Sequence, residues 1–385
     1  MRVALIHDWL TVMRGGERCL EAFCDLFPEA DLFTLLHFPG TVSAKIEKHR
    51  IVTSFIQRFP FNQQAYRYYL PFFPLAIESF NLSGYDLILS SSHCVAKGVR
   101  VRKGSCHVAY LYTPMRYIWD QHEAYFGEGR SGWPARKGMR LFRPWLQRWD
   151  AASNNDVHAF IASSRHVAER IRRCYGRTAD VIPPPVDFQA FSSSRRDDGF
   201  YLMVTAFAPY KRVDLAVEAF NRLKQPLKII GTGQDEKRLK SMAGPTVDFL
   251  GWKSDSDIRD AYAACRAVVF PGEEDFGIVP LEAMASGKPV IAYGRGGVLE
   301  TVIPLQTPGA GARPSEAVHP TGLFFYDPTP QALMQAVRYF ESHRDAFDPD
   351  RIREHVRMFD RQQFMEKIDR YIQETYGEFK KAQHA

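Results

Sequence analysis

The chain alternates between short apolar runs and longer stretches in which apolar residues recur every three to four positions. The short runs have the length of strands and are rich in Val, Ile and Leu throughout, which is typical of strands buried on both faces. The alternation predicts α/β domains with mostly parallel, doubly wound sheets. Four runs lie in the first half and five in the second, at 2–7, 86–90, 107–112, 158–163, 201–206, 226–231, 247–251, 267–270 and 289–293.

A proline-rich segment separates the two series of runs. Residues 181–187 read VIPPPVD, and residues 192–198 read SSSRRDD. Such punctuation marks a domain joint, and 385 residues are enough for two domains. We therefore expect a Rossmann-like domain over 1–190 and a second over 191–362.

The C-terminal region has a different pattern. Apolar residues from Phe359 to Phe379 follow a helical period and predict one long amphipathic helix. We expect residues 363–385 to return to the first domain. The stretch from Pro308 to Thr321 is rich in Pro, Gly and Ala and is predicted to be a loop.

Both halves open with a strand, a polar loop and an amphipathic helix. The first loop carries Gly15-Gly16-Glu17-Arg18, and the second carries Pro209-Tyr210-Lys211-Arg212. Ligands of open α/β sheets bind outside the carboxyl ends of the strands. The pattern predicts that the two domains face each other and that the active site lies in the cleft.

Composition narrows the class of protein. Hydrophobic residues make up 45% and charged residues 24%, as in globular chains. No run approaches the roughly 20 apolar residues that span a bilayer, so we expect a cytoplasmic protein. The six cysteines form no CxxC pair, which predicts free thiols. The net charge of +6 favours an anionic partner.

The segment that follows the run at 267–270 carries the most chemistry. Gly277 permits a tight turn, and a short helix is predicted from Val279 to Ser286. The free N–H groups at its start would hold a diphosphate without a metal. Glu274 precedes this helix and Glu282 lies one turn into it. Two such carboxylates can bind hydroxyls at opposite ends of an elongated ligand.

These residues resemble an established family. The stretch EDFGIVPLE at 274–282 is similar to the E-x7-E element of the retaining glycosyltransferases of family 4, which have the GT-B fold. Matching pieces surround it in the same order: GTG at 231–233, FLGW at 249–252, GRGG at 294–297 with Glu300, and VIPPPVD. The stretches HDWLTVMRGGER, SSSHCVAKGV, YTPMRYIWD and PYKRVDLAVEAF look like the subgroup that builds surface polysaccharides and O-antigens, often with mannosyl donors.

The resemblance implies roles for individual residues. Glu282 would bind the donor ribose and Lys211 the diphosphate, while Glu274 would hold the transferred sugar. Lys211 also has a role by charge alone, because a preplaced ammonium stabilises the departing diphosphate. The remaining residues expected at the donor are Gly15, Gly16, Arg212, Gly231, Trp252, Phe276, Gly277, Ile278 and Val279.

The chain departs from the family pattern at two positions. Ala206 stands where the family usually has an arginine, and Arg212 can supply the second positive charge. Tyr112 stands where the family has a histidine near the reacting carbon, which excludes a histidine base at that position. His93 and His122 are candidate substitutes, and Arg116 completes the expected acceptor side. Because the leaving phosphate can itself take the acceptor proton, retention needs no strong base.

Other motifs do not support a cofactor. Asp255-Ser256-Asp257 mimics a metal-binding DxD, yet it precedes a helical run and is better explained as helix capping. The GTGQDE and GRGG segments lack a complete dinucleotide fingerprint, so NAD binding is not expected. We expect no metal and no cofactor, with the nucleotide sugar as co-substrate, GDP- or UDP-linked.

Basic and aromatic residues are interleaved over residues 130–149, which read RSGWPARKGMRLFRPWLQRW. This pattern suits an anionic membrane surface, where a lipid-linked acceptor is found, and it equally suits a helix that packs its aromatics inside. A second aromatic stretch, from Phe55 to Phe80, is either core or part of the acceptor cleft. No nucleic-acid-binding module is present, so nucleic acid is not an expected partner.

The sequence thus predicts a metal-independent retaining hexosyltransferase, with mannosyl as the first choice. Its acceptor would be a lipid-linked polysaccharide or oligosaccharide precursor, at the inner face of the cytoplasmic membrane. An epimerase of the same fold and a non-catalytic sugar-nucleotide-binding protein are the alternatives.

Overall fold

The computed structural model describes residues 1–120, 122, 133–305 and 319–384. These residues form two compact units. The first contains Met1–Pro185 and Arg361–Ala385, and the second contains Val186–Asp360. The sequence placed the joints at 190 and 362 instead. The division comes earlier because Phe188 lies in the core of the second unit and Val186 donates its N–H to the carbonyl of Phe359.

The first unit contains a seven-stranded sheet in the order β3-β2-β1-β4-β5-β6-β7. Each of its strand pairs is parallel. Strands β1 to β3 therefore extend the sheet in one direction, and strands β4 to β7 extend it in the other. The strands are β1 (Val3–His7), β2 (Asp31–Thr34), β3 (Ile51–Thr53), β4 (Leu87–Ser92), β5 (Cys106–Leu111), β6 (Ala159–Ala162) and β7 (Asp180–Val181).

Helices cover both faces of this sheet. On one face, Val3 and Leu5 of β1 pack with α1 and with the C-terminal helix. On the other face, Ala4 and Ile6 pack with α4 and α5. The helices are α1 (Gly15–Leu26), α2 (Ala44–Glu47), α3 (Asn62–Ala65), α4 (Phe73–Glu78), α5 (Trp133–Ala152), α6 (Arg165–Tyr175) and, at the C-terminus, α13 (Arg361–His384).

The second unit contains a six-stranded parallel sheet in the order β10-β9-β8-β11-β12-β13. Its strands are β8 (Tyr201–Val204), β9 (Leu227–Ile230), β10 (Val247–Gly251), β11 (Ala267–Phe270), β12 (Val290–Tyr293) and β13 (Gly322–Phe325). Its helices are α7 (Val213–Leu223), α8 (Glu236–Met242), α9 (Asp255–Ala264), α10 (Ile278–Ala285), α11 (Pro330–Ser342) and α12 (Pro349–Val356). The prediction of two doubly wound parallel sheets is thereby confirmed.

All nine predicted strands are present, and four strands were missed. Three of these, β3, β7 and β13, lie at the edges of their sheets, and β2 lies next to an edge. The apolar runs there are short or interrupted, since β2 begins with Asp31 and β7 has only two residues. Only strands deep in a sheet must be apolar along their whole length.

The C-terminal helix α13 packs on the first unit through Phe364, Ile368 and Ile372, which are buried. It begins at Arg361 rather than at Phe359, because residues 357–359 form a short 3-10 turn. The predicted loop at 308–321 falls largely outside the described residues. Within the described residues, no helix is long and apolar enough to cross a membrane. All six cysteines are unpaired.

Candidate functional site

The order in which strands are added to the second sheet reverses between β8 and β11. Lys211 follows β8, and Glu274 follows β11. The chain runs from β8 to β9 and β10 on one side, and from β11 to β12 and β13 on the other. Connections leave such a switch point in opposite directions and open a crevice at the carboxyl ends of the strands. Lys211 closes a short 3-10 turn after β8, and Glu274 lies in the loop after β11.

Lys211 and Glu274 form an ion pair at this crevice, in which Lys211 Nζ donates to Glu274 Oε1. Each side chain is only 15% exposed. The close approach depends on Gly272, because a Cβ there would lie 2.7 Å from the carbonyl oxygen of Tyr210 and 2.9 Å from Lys211 Cα. Because the pair is largely shielded from water, the attraction between the two charges is strong and holds both side chains in place.

Helix α10 starts directly beside this pair. Its N-cap, Gly277, has φ of 90°, in the left-handed region that favours glycine. The helix runs from Ile278 to Ala285, one residue ahead of the predicted bounds, and its N-cap glycine has no side chain to cap the first N–H groups. Glu282 is half-buried, and the Tyr262 hydroxyl donates to its Oε2 at 3.1 Å. Neither Glu274 nor Glu282 therefore projects into bulk solvent.

Two further glycines brace the loop that carries Glu274. A Cβ on Gly296 would lie 2.3 Å from the carbonyl oxygen of Glu274, and one on Gly297 would lie 2.3 Å from that of Asp275. The N–H of Gly297 donates to the Glu274 carbonyl at 2.8 Å. The sequence analysis noted the GRGG segment but assigned it no place in the site. Two adjacent glycines after a strand are the signal for such a close backbone approach.

Other residues expected at the donor lie around the same edge of the sheet. Gly231 follows β9 with φ of +144°, and a Cβ there would overlap the carbonyl oxygen of Thr205. Trp252 follows β10 and is 77% exposed. Phe276 is buried in the core, while Ile278 and Val279 are half-buried in the first turn of α10.

The Arg212 side chain makes a different contact from the side chain of Lys211. It has φ of 52°, and its Nε lies 3.4 Å from Asp214 Oδ1. The structure therefore pairs Arg212 with its own helix and not with Glu274. Its expected contact with the diphosphate remains a prediction.

The first unit has its own switch point, between β1 and β4, and Asp8 stands there fully buried. The Asp8 carboxylate accepts four backbone N–H groups of residues 93–96, at 2.6 to 3.0 Å. His93 Nδ1 lies 3.1 Å from Asp8 Oδ2. Burial lowers the pKa of His93, although the charge of Asp8 acts in the opposite direction. His93 is therefore a neutral imidazole at pH 7.

Tyr112 joins Gly16, at the start of α1, to Ser91 of β4. Its hydroxyl lies 3.0 Å from the Gly16 carbonyl oxygen, to which it donates, and 2.8 Å from Ser91 Oγ. Burial raises the pKa of Tyr112 well above its usual value, which keeps the phenol protonated. Gly15 and Gly16 are the first residues of α1, not part of a loop as the sequence suggested. The Glu17 carboxylate accepts the N–H of Arg14 and so fixes the start of the helix there.

His7 and Glu17 complete this buried group, although neither was expected at the site from the sequence. His7 Nδ1 lies 3.1 Å from Ser91 Oγ, and His7 Nε2 lies 3.6 Å from Glu17 Oε1. Burial would raise the pKa of Glu17, but the adjacent imidazole of His7 holds it below its usual value. Their positions in the sequence could have indicated a role at the site, since His7 ends the first strand and Glu17 follows the double glycine.

His122 and Arg116 are not part of this hydrogen-bonded group in the contacts described. His122 Nδ1 lies 3.1 Å from the Tyr117 carbonyl oxygen. Arg116 is half-buried, and its charge contributes to the lowered pKa of His93. The structure thus brings Gly16 and His93 to Tyr112, and the contact described for His122 is with Tyr117.

The DxD-like segment is a helix cap. The Ser254 hydroxyl accepts the N–H of Asp257, and the N–H of Ser254 is in turn directed at the Asp257 carboxylate. Asp255 and Asp257 lie in the first turn of α9, where acidic side chains oppose the helix dipole. This agrees with the capping interpretation of the sequence.

Two family descriptions match successive parts of the chain. "Glycosyltransferase Family 4" matches residues 13–190, and "Glycosyl transferases group 1" matches residues 187–373. Together they cover both units almost completely.

Curated relatives agree with these matches. The O-antigen chain mannosyltransferase C of Escherichia coli is 34% identical over 173 residues, which are 40% of this chain and 45% of that protein. A GDP-mannose-dependent alpha-mannosyltransferase of Mycolicibacterium smegmatis is 30% identical over 211 residues, or 53% of this chain and 56% of that protein. The chain therefore spans about half the length of the curated relatives that it matches.

A solved structure of Anabaena HepE in complex with UDP superposes with a TM-score of 0.69 at 18% identity. The superposition covers 97% of this chain and 100% of the other. Likeness at this identity concerns the fold, and it agrees with the two Rossmann-like sheets described above. With the two family matches and the mannosyltransferase relatives, it leads to one conclusion: the chain belongs to the family 4 glycosyltransferases and has the GT-B fold.

Proposed function

We propose that this chain transfers a mannosyl group from a nucleoside diphosphate sugar to a hydroxyl of a lipid-linked saccharide precursor, with retention of anomeric configuration. The observation that carries the proposal is the shielded Lys211–Glu274 pair at the β8/β11 switch point, beside the start of α10. Family membership supports sugar transfer in general, and the names of the mannosyltransferase relatives support mannose.

The charges of the site suit a leaving diphosphate. As the glycosidic bond breaks, negative charge develops on the phosphate oxygens, and Lys211 with the free N–H groups at the start of α10 stabilises that charge. Glu274 already holds Lys211 in place. When the diphosphate takes the ammonium, the Glu274 carboxylate becomes available to accept a sugar hydroxyl.

Glu282 is proposed to bind the ribose. Its carboxylate is oriented by the Tyr262 hydroxyl, and a carboxylate can accept hydrogen bonds from two vicinal hydroxyls such as those of ribose. The acceptor proton passes to the departing phosphate oxygen as the new glycosidic bond forms on the same face of the sugar. In this route the high pKa of Tyr112 is no obstacle, because no protein base is required.

The donor base is proposed to be guanine. Two of the relatives are named as GDP-mannose-dependent enzymes, whereas the Anabaena structure contains UDP. Transfer assays with GDP-mannose, UDP-glucose and UDP-galactose, each with a lipid-linked oligosaccharide acceptor, decide between them. We expect GDP-mannose to be used, an α-linked product by NMR, and unchanged rates in the presence of a chelator.

Substitution of Lys211 and Glu282 tests the proposal directly. We expect Lys211→Met, which removes a cation that stabilises transition-state charge, and Glu282→Gln, which removes the proposed ribose ligand, each to lower kcat/KM by about 100-fold or more. Lys240→Met and Glu236→Gln are matched controls, because these residues form an exposed ion pair on α8. Circular dichroism would verify that each variant is folded.

Three outcomes would contradict the proposal. Near-normal rates in both site variants would remove Lys211 and Glu282 from the chemistry. An epimerised sugar nucleotide after incubation with donor alone would indicate an epimerase. Tight donor binding without turnover across a broad acceptor panel would indicate a non-catalytic binding protein.

A further inference from the structure

Two basic aromatic segments of the first unit lie on the same face of its sheet. Segment A, residues 55–77, includes α3 and all of α4 except its last residue, Glu78, and segment B is helix α5, Trp133–Ala152. Their buried residues belong to one hydrophobic cluster with Ala4 and Ile6 of β1. The indole N–H of Trp149 in segment B donates to Glu78, directly after segment A, at 2.6 Å. The two segments are therefore neighbours.

Segment B has one buried stripe and one outward stripe. Met139 and Leu146 are buried in the shared cluster. The exposed positions recur three and four residues apart, as one side of a helix requires. They are Lys137, Arg140, Leu141, Pro144, Trp145 and Arg148, with Phe142 at the margin. Leu141 is 75% exposed and Trp145 is 41% exposed.

Segment A also leaves large apolar side chains outside. Tyr66, Leu70 and Phe73 enter the cluster, so the segment is anchored. The exposed side chains are instead Phe55, Phe61, Tyr68, Phe72 and Leu75. Scattered single apolar residues are ordinary on protein surfaces, but this many on one face marks an interaction site.

The exposed charges of segments A and B are of one sign, because Asp150 near the end of segment B is fully buried beside Lys97. Residues 55–77 and 133–149 contain Arg58, Arg67, Arg136, Lys137, Arg140, Arg143 and Arg148, and no Asp or Glu. Glu78, the first acidic residue after segment A, accepts from Trp149 and Arg100. The face therefore favours an anionic partner with an apolar interior.

We infer that segments A and B form a docking surface for the anionic phospholipids of a membrane. Arginines and lysines contact the headgroups, while Leu75, Leu141 and Trp145 enter the boundary of the acyl chains. Aliphatic side chains make no stacking contact with bases, which disfavours a nucleic acid. A second copy of the chain would present the same positive charge, which disfavours self-association. The inference does not depend on which sugar is transferred.

Vesicle sedimentation tests the inference with the full chain. We expect binding to vesicles of phosphatidylcholine and phosphatidylglycerol in equal parts, little binding to phosphatidylcholine alone, and release at high salt. Arg140→Gln with Arg148→Gln should weaken binding by about 25-fold, at about fivefold for each cation. Leu141→Gln with Trp145→Gln, and Phe61→Gln with Tyr68→Gln, should each weaken it by about tenfold.

Matched controls lie on the second unit. Met358 is an exposed apolar residue, and Arg222 and Arg351 are exposed cations. Met358→Gln and the double variant Arg222→Gln with Arg351→Gln should bind vesicles like the unaltered chain. Absence of binding to anionic vesicles would overturn the inference. So would equal loss in the controls, a dimer that the segment variants dissolve, or displacement from vesicles by single-stranded RNA.

Transfer to a water-soluble acceptor separates this inference from the proposed function. The two segment B variants should retain that activity, because none of their altered residues was assigned to the donor or acceptor site. Vesicle binding by a chain that transfers no sugar would leave the docking surface supported and the proposed function refuted.

Discussion

His107 is a fully buried histidine between two fixed partners on the first sheet. Its Nδ1 lies 3.1 Å from the carbonyl oxygen of Asp156, which only accepts, so Nδ1 carries the proton. Its Nε2 then accepts from the Ser90 hydroxyl at 2.8 Å. Burial lowers the pKa of His107 to about 3. The folded chain thus requires the neutral imidazole.

We predict that the first unit loses stability as the pH falls from 7 to 5. The unfolded chain takes up a proton on this residue near its ordinary pKa of about 6.5, whereas the folded chain does not until about pH 3. The free energy of unfolding should fall by about 1 to 2 kcal/mol from this residue. Urea unfolding at both pH values measures the change, and His107→Gln should reduce it.

His343→Gln, at an exposed position of the second unit, is the control and should keep the full pH dependence. Equal pH dependence in His107→Gln and in the unaltered chain would contradict the assignment.

At the scale of elements, the loop between β11 and α10 is shaped from both ends. Gly277 turns the chain into the helix, and the backbone of Gly296 and Gly297 supports the loop from the next connection. The loop carries Glu274, so its position sets the position of the ion pair. Backbone packed this closely leaves no room for a side chain.

We predict that Gly297→Ala displaces this loop. The new Cβ would lie 2.4 Å from Phe276 Cα and 2.3 Å from the Asp275 carbonyl oxygen, both backbone atoms that cannot rotate away. The second unit should lose about 1 to 3 kcal/mol of stability, and affinity for the donor nucleotide should fall. Urea unfolding and titration calorimetry measure the two effects.

Gly377→Ala provides the comparison, since a Cβ at Gly377 meets no atom within 4 Å and lies inside α13. It should stabilise the chain by about 0.5 to 1 kcal/mol. Unchanged stability and affinity in Gly297→Ala would show that the loop can adapt.

At the scale of the whole molecule, each unit has its own core and its own switch point. The hydrophobic cluster of the second unit contains only residues between Val186 and Phe359, together with partly buried neighbours from the same unit. The clusters of the first unit contain α13 but no residue of the second sheet. Donor binding at the carboxyl ends of β8 and β11 should therefore stabilise the second unit.

We predict that a sugar nucleotide stabilises the second unit. At a concentration of 100 Kd the gain is about 2.7 kcal/mol, because only the folded state binds. Thermal unfolding with GDP-mannose, GDP, UDP and ADP measures it, and GDP-mannose should raise the Tm most. Hydrogen exchange should slow in β8, β11 and α10.

Lys211→Met should reduce this stabilisation, and Lys240→Met should not. A panel in which no nucleotide raises the Tm, or in which protection increases only in β1 and β4, would contradict the location of the site.

Much of the site could be predicted from the sequence because the residues that define it lie close to one another in the chain. Gly277 is needed for a turn, Glu282 lies one helical turn further, and Lys211 follows a strand; each relation spans a few residues. Asp8, His7 and Glu17 were given no role from the sequence, because their contacts depend on residues 91–96, far away in the chain. The outward position of Leu141 and Phe61 was equally hidden, since an apolar pattern does not tell which side faces the core.

The sequence by itself determined two parallel sheets, the family, and the residues that follow the central strands. The physical reason is that strands buried on both faces and tight turns each impose a recognisable pattern on a few consecutive residues. Tertiary structure alone decided that Lys211 pairs with Glu274 while Arg212 pairs with Asp214, and that segments A and B share one face. The Lys211–Glu274 pair and the packing of segment A against segment B join residues distant in the chain, so they follow from strand order and packing.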